Sequence, residues 1–417
     1  MKISINISRW LVGLLFIFSG LVKANDPLGL SYKMQEFFEI WNESLAKGWF
    51  IFNHLFIRLF DFLHDHSLAL SVIMIAFEII AGVALLFGWY MRLFSWLLLL
   101  LIIFFTFLTG YAFLSGKFKN CGCFGDCLPI TPLTSFLKDV VLTLLIFFLF
   151  YHRRKIKPLF TPAKGALAML AVTALSFGIQ WYTLNYLPLK DCLPFKTGNN
   201  IPEQMKMPAN AIPDSTVITF VYQKDGKNVE FTADKFPSDF NADKYKYVDR
   251  KDVVVRKGVN NEPPIKGLSF SGVTDEDSAS IIFSEPYCVL IFDENFETPV
   301  NKWQQGFLRS YGEMKKKNLP VYIITTSIDE AVKNLGNTPM NTIPVLKCDY
   351  TVIRTAARTK PCMYLLKEGT VLNKWSYNRF GDAAKAINDV PSQPRREDIA
   401  MPRDSTINNT DSTNQPK

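Results

Sequence analysis

Hydrophobic positions are not evenly spread along the chain. They gather into long, nearly unbroken apolar runs in the first ~190 residues, then thin into short runs separated by polar turns. Five early runs are long enough for a helix to cross a hydrocarbon core, which needs about 20 apolar residues. They cover 3–22, 68–88, 93–114, 133–151 and 166–186. A helix satisfies its own backbone in lipid, so the pattern predicts five transmembrane helices. Residues 50–63 are also apolar but short, and carry His54, Arg58 and Asp61; they read as an interfacial or re-entrant segment. The first run is interrupted by Arg9 and no small-x-small site follows it, so it reads as a retained span.

From about residue 262 the pattern changes. Short apolar runs at 287–292, 321–325, 343–348, 362–366 and 371–375 alternate with helical spacing at 301–317 and 328–335. Strands alternating with helices predict a soluble α/β domain closed by an antiparallel hairpin. Between the two regions, 217–222 and 229–232 flank the turn Lys224-Asp-Gly226 and predict a hairpin. The expected organisation is a membrane domain over 1–152, a basic loop and fifth span over 153–190, a strand-rich connector over 191–261, the α/β domain over 262–390, and a disordered polar tail over 391–417.

Composition and charge sharpen this reading. Mean hydropathy of +0.10 averages two unlike halves. Aromatic residues are 14% of the chain, with 35 Phe. A net charge of +8 points to membrane orientation more than to nucleic acid, because much of the excess sits in short loops between spans. The basic loop His152-Arg-Arg-Lys-Ile-Lys157 with Lys164, the turn holding Arg92, and Lys2 all fall on one side. That side is expected to be cytoplasmic, with the cysteine-bearing loop and everything after about Leu187 outside. No repeat and no glycine-rich nucleotide loop is evident.

The candidate chemistry lies in that outer loop, where "NCGCFGDC" over 120–127 holds Cys121, Cys123 and Cys127, three of the seven cysteines. In an oxidising compartment disulfides persist. A C-x-C disulfide closes a small strained ring, which makes it more oxidising than a structural bond. Gly122 and Gly125 allow the tight turn it needs. A structural staple between spans three and four is the alternative. A metal site with Cys192 as fourth ligand lacks a nearby histidine and a standard spacing, and none is expected. Cys192 lies just past the fifth span, on the same membrane surface as the loop. A bond from Cys192 to one of the three is expected, with Cys127 preferred because it leaves the C-x-C pair intact; a solitary thiol is the alternative. Lys190 beside it would favour a thiolate. Within the spans, Glu78 and Arg9 are expected to face each other as an intramembrane charge pair. Glu78 is either a lock between helices or a group that handles a proton or quinone head group. His64 and His66 read as a solvated loop.

Over about residues 5–150 the chain resembles the DoxX/MauE family of redox-associated membrane proteins. The resemblance rests on Arg9, Ser19-Gly-Leu-Val-Lys23 with Asp26-Pro27, Glu78 with Gly82 and Gly88, Arg92, and Cys-Gly-Cys-Phe-Gly. It implies a four-helix bundle loosely similar to quinone-linked disulfide-forming enzymes; the fifth span and large outer domain depart from the minimal family and argue against a methylamine role. The outer domain resembles the TlpA-like and peroxiredoxin-like branch of the thioredoxin fold. There Pro361 of Thr359-Lys-Pro361 corresponds to the cis-proline, and 263–270 to a lead-in strand. The family's Cys-x-x-Cys is replaced by Asp293-Glu-Asn-Phe-Glu-Thr298, so the usual dithiol cycle is lost. Cys362 beside Pro361 is the one cysteine of this domain considered for reactivity, Cys288 reads as core, and Cys348 stays open. Tandem chains of this make-up resemble a group common in Bacteroidota, which would make the outer space a periplasm and the membrane the inner one. Two functions are carried forward: a thiol-disulfide oxidoreductase serving a periplasmic client, with quinone as a candidate acceptor, and a non-catalytic scaffold with structural disulfides.

Overall fold

The computed structural model describes residues 1–394 apart from 48–52, 119–121, 123, 242, 257, 259 and 273–275. Cys121 and Cys123, and nearly all of the expected disordered tail, therefore lie outside the described residues. Among the described residues five helices are long and apolar enough to cross a membrane, and the chain is a multi-pass membrane protein. They are α1 (Lys2–Ala24), α4 (Ser67–Phe87), α5 (Met91–Ser115), α6 (Pro132–Tyr151) and α7 (Pro162–Tyr186). Their positions match the five predicted runs to within a few residues. Helix α1 packs along α4 and α5 along α6, while α1 also meets α6 and α4 meets α5, closing a four-helix bundle. Helix α7 leans on α4 from outside.

Glycines set the α1–α4 contact. A Cβ on Gly82 would lie 2.9 Å from the Gly13 carbonyl oxygen, and one on Gly20 would lie 2.5 Å from Ile79 Cγ1. Small residues at such crossings let helix backbones approach closely, which is where dispersion contacts hold helices together in lipid.

The loop after the first span is largely helical, which its mixed composition did not announce. Helix α2 (Pro27–Lys47) pairs with α3 (Asn53–Asp65). At 13 residues α3 is about 20 Å long at helical rise, too short to span. Trp41 joins the pair by packing against Phe60, with ring centroids 5.2 Å apart. Phe37 stacks on Phe118 beyond the end of α5, at 4.1 Å.

After α7 and the short α8 (Ile201–Gln204), strands β1 (Ser215–Lys224), β2 (Lys227–Thr232) and β3 (Lys246–Arg256) form an antiparallel sheet in the order β2-β1-β3. The predicted hairpin is β1–β2; β3 was not foreseen. The last domain holds α9 (Ala279–Phe283), β4 (Cys288–Phe292), α10 (Gln304–Lys316), β5 (Val321–Thr325), α11 (Ile328–Leu335), β6 (Val345–Lys347), α12 (Tyr350–Ala356), β7 (Cys362–Lys367), β8 (Thr370–Ser376) and α13 (Ala383–Asn388). Its sheet runs β6-β5-β4-β7-β8. Strands β4, β5 and β6 are parallel, and β7 is antiparallel to both β4 and β8. That is the strand order expected of a thioredoxin-like core, with β6 added at the edge. Every residue of β4 is buried, as a central strand covered on both faces must be.

Candidate functional site at the cysteine-loop end of the bundle

Two segments meet where the bundle ends. One is the loop between α5 and α6, turned by Gly122 and Gly125, whose φ angles of 69° and 56° lie in the left-handed region that favours glycine. The other is the stretch leaving α7. A disulfide joins them, Cys127 to Cys192, with Cα atoms 4.9 Å apart. This is the pairing preferred from the sequence. Asn25, at the end of α1, holds the second segment beside the bond: its Nδ2 donates to the Lys190 carbonyl at 2.8 Å, and its Oδ1 accepts from the Lys190 amide at 2.9 Å. Gly122 packs against the stem of Lys33 on α2.

Beneath the loop a cavity opens inside the bundle, about 790 Å³ counting its mouth. Phe16, Phe105, Leu108 and Leu142 supply apolar walls, and Gly122 and Phe124 of the cysteine loop line it as well. Two ion pairs face it. Lys23 Nζ lies 2.5 Å from Glu78 Oε1, both buried, and Ser19 Oγ donates to Glu78 Oε2 at 3.3 Å. Lys138 Nζ lies 2.5 Å from Asp139 Oδ1, and Thr109 Oγ1 donates to Asp139 Oδ2 at 3.1 Å. Lys138 also sits over the Phe124 ring, 5.1 Å from its centroid.

The expected Arg9–Glu78 pair is not formed. Arg9 Nη2 donates to the Leu86 carbonyl at 3.0 Å. The antiparallel register set by the glycines, with Gly20 against Ile79 and Gly13 against Leu86, puts Arg9 near the far end of α4. Glu78 and Leu86 are eight residues apart, about 12 Å at helical rise, beyond an arginine's reach. Lys23 supplies the counter-charge instead.

Residues 1–152 match the model of the family described as methylamine utilisation protein MauE. The N-terminal region is MauE-like. Residues 210–257 match a domain of unknown function, DUF8463, which covers the three-stranded sheet. A protein named TlpB from Flavobacterium psychrophilum is 34% identical over 84 residues, 19% of this chain and 23% of that protein; the chain thus spans under a quarter of that relative. No solved structure matches.

The C-terminal α/β domain docks on the MauE-like bundle through the face where a thioredoxin would carry its dithiol. Asp293 follows β4 at that position, fully buried, and its carboxylate accepts from the Phe296 amide at 3.0 Å. Burial pushes its pKa up to about 7. Glu294 is held by Arg354 at 2.8 Å and Lys360 at 2.9 Å. The Lys360–Pro361 bond is cis, as expected. Arg358, buried and three residues before Pro361, reaches the MauE-like bundle: Nε lies 2.7 Å from Asp26 and Nη2 2.8 Å from Asp126. Tyr32 of α2 lies under Arg354 and Arg358, at 4.9 and 5.5 Å from the ring centroid. Arg354 Nη1 also donates to Gln35 at 3.1 Å.

Cys362 is not poised for chemistry. It packs in the core beside Phe292 and Tyr364, and burial pushes its thiol up to about 11. Cys288 and Cys348 are likewise buried, with thiols pushed up to about 12. The reactive species is the thiolate, so none of the three is suited to exchange near neutral pH. Lys23, Lys138, Asp139 and Arg358 were missed from sequence. Asp139 carried a signal, a carboxylate inside an apolar span. Lys23 closes the Ser19–Lys23 stretch of the resemblance but sits one residue past the predicted span, and no role was assigned to it there.

Proposed function

We propose that this protein is a membrane thiol-disulfide exchange factor. Its MauE-like bundle takes electrons from a dithiol client protein in the periplasm, with the N-terminus and the basic loop at 152–164 in the cytoplasm of a Gram-negative inner membrane. The observation that carries the reading is the Cys127–Cys192 disulfide, on a loop that also lines an intramembrane cavity. The client's dithiol is oxidised to a disulfide while Cys127 and Cys192 are reduced to thiols. Cys127 and Cys192 then regain their bond by exchange with a Cys121–Cys123 disulfide, leaving that pair as thiols.

The cavity's donor set fits a lipid-soluble quinone. Its walls suit an aromatic ring, and the Lys23 and Lys138 ammonium groups can supply donors for ring oxygens. A bound quinone would supply a two-electron, two-proton sink for the Cys121–Cys123 pair. The two lysines are fixed by buried carboxylates, so they hold a ligand oxygen without reorganising. Glu78 and Asp139 are groups through which a proton at Glu78 Oε1 or Asp139 Oδ2 can move near the loop.

One observation favours a scaffold role for the outer domain itself. Its would-be active face lacks the dithiol and is covered by Arg358, Asp26 and Tyr32 contacts. In this reading it positions the loop and presents the client without exchanging thiols.

The test is oxidation of a reduced dithiol peptide by the full-length protein in nanodiscs with a ubiquinone analogue. Wild type should form peptide disulfide with quinone consumed one for one. A Cys121→Ser, Cys123→Ser variant that matches wild type would sink the catalytic reading and leave the scaffold.

A further inference from the structure

Each half of the disulfide follows an aspartate, and each aspartate is held by a buried cation of the outer domain. Asp126 precedes Cys127 and takes Arg358 at 2.8 Å; Asp191 precedes Cys192 and takes Lys374 of β8 at 2.6 Å. Arg358 is only 6% exposed and Lys374 8%. Arg358 is itself fixed, by donation to the Arg354 carbonyl and by Asp26, while Lys374 lies over the Tyr364 ring at 4.9 Å. Two rigid points of one domain therefore grip the two segments that the bond joins.

We infer that the outer domain is a redox-reading clamp: its docking through Arg358 and Lys374 and the Cys127–Cys192 bond stabilise each other. With the bond formed, the cysteine loop and the stretch after α7 move as one body, so one ion pair holds the partner segment at high effective concentration for the other. When a dithiol reduces the bond, it becomes a disulfide and Cys127 and Cys192 become thiols. The two segments then separate, and each ion pair must order its own segment. Coupling of this kind is reciprocal, so docking must in turn oppose reduction. The clamp would loosen when the loop receives electrons and close when the bond is restored. This needs no catalytic role for the bond and stands apart from the exchange reading.

The test uses full-length protein in nanodiscs with Cys121→Ser and Cys123→Ser, so that a single disulfide titrates. Its equilibrium constant with glutathione is read by mass spectrometry of the linked peptides holding Cys127 and Cys192. Asp126→Asn with Asp191→Asn should make the bond about five- to ten-fold easier to reduce, the size expected for two partly exposed charge-assisted contacts. Asp126→Glu with Asp191→Glu should return most of that shift. Amide hydrogen exchange over 357–361 should speed up on reduction in the parent protein but much less in the double asparagine variant. An unchanged constant in the asparagine variant would overturn the clamp. So would a shift that glutamate does not reverse, which would assign the effect to loop packing, or exchange over 357–361 that ignores the redox state.

Discussion

The two regions use cysteine in opposite ways. In the C-terminal α/β domain Cys288, Cys348 and Cys362 are free and buried, and burial pushes their thiols well above their ordinary range. At the end of the MauE-like bundle, Cys127 and Cys192 are bonded among Asp126, Asp191, Lys190 and Asn25. A thiol in a hydrophobic core packs like a small aliphatic group, whereas one beside charge and water can ionise and exchange. The difference teaches that a thioredoxin-like strand order does not carry the chemistry; here the polar surroundings of the thiols lie on the membrane side of the interface. The face of the domain that carries Asp293 and Glu294 is a docking surface for the bundle.

The sharpest way to break this contrast is to move the thiols. Replacing Cys121 and Cys123 by serine should lower dithiol-peptide oxidation more than 100-fold, on the order of 3 kcal/mol in barrier. Replacing Cys288, Cys348 and Cys362 together by alanine should leave the rate per folded protein within about two-fold. Comparable losses from both sets would erase the distinction.

Next in size is the buried pair in the bundle. Glu78→Gln leaves Lys23 charged and unpaired, and should cost about 3–5 kcal/mol of stability, the usual penalty for breaking a buried ion pair. Lys23→Met with Glu78→Leu should recover most of it, since apolar replacement of both partners is often neutral. Arg9→Gln should add to Glu78→Gln without coupling. Unfolding midpoints in detergent check all three, and recovery by Arg9→Gln instead of the Lys23 change would restore the pair predicted from sequence.

The C-terminal domain should show its own signature in pH. Asp293 has its folded pKa raised to about 7 from 3.8. The folded state therefore binds the proton more tightly than the unfolded one, so this group's contribution to stability falls as pH rises from about 4 to about 7 and levels off above. Asp293→Asn keeps an acceptor for the Phe296 amide and removes the charge. It should flatten that decline and stabilise the protein at pH 8 by roughly 2–4 kcal/mol, while changing little at pH 4. Denaturant midpoints across pH 4–8 measure it.

The smallest effect expected is at Thr109. Thr109→Val removes one hydrogen bond to Asp139 while Lys138 still pairs with that carboxylate, so the cost in unfolding free energy should be about 1 kcal/mol. A cost of several kcal/mol would mean that Lys138 does not neutralise Asp139.

Much of the architecture could be read from the chain because it rests on local pattern. Spans announce themselves by length and apolarity, and β4 by its unbroken run at 288–292. The Cys127–Cys192 pairing was legible because both cysteines follow from span count to one membrane surface. The pairing of Glu78 was not, because it depends on helix register, and register came from Gly13, Gly20 and Gly82 touching the facing helix. Helix α2 was hidden by polar residues that serve the docking interface, such as Gln35. Arg358 was beyond reach for a plainer reason: its partners Asp26 and Asp126 lie 332 and 232 residues away in sequence, and nothing local marks a buried arginine as a bridge between domains.

The central claim is that the bond at the end of the bundle exchanges electrons, and its reduction potential in the full-length protein tests this most directly. Equilibration with graded glutathione buffers, followed by quantification of the linked Cys127 and Cys192 peptides, would give the value. The account predicts a potential above about −300 mV, within reach of a dithiol client; a value below that, typical of structural disulfides, would contradict it.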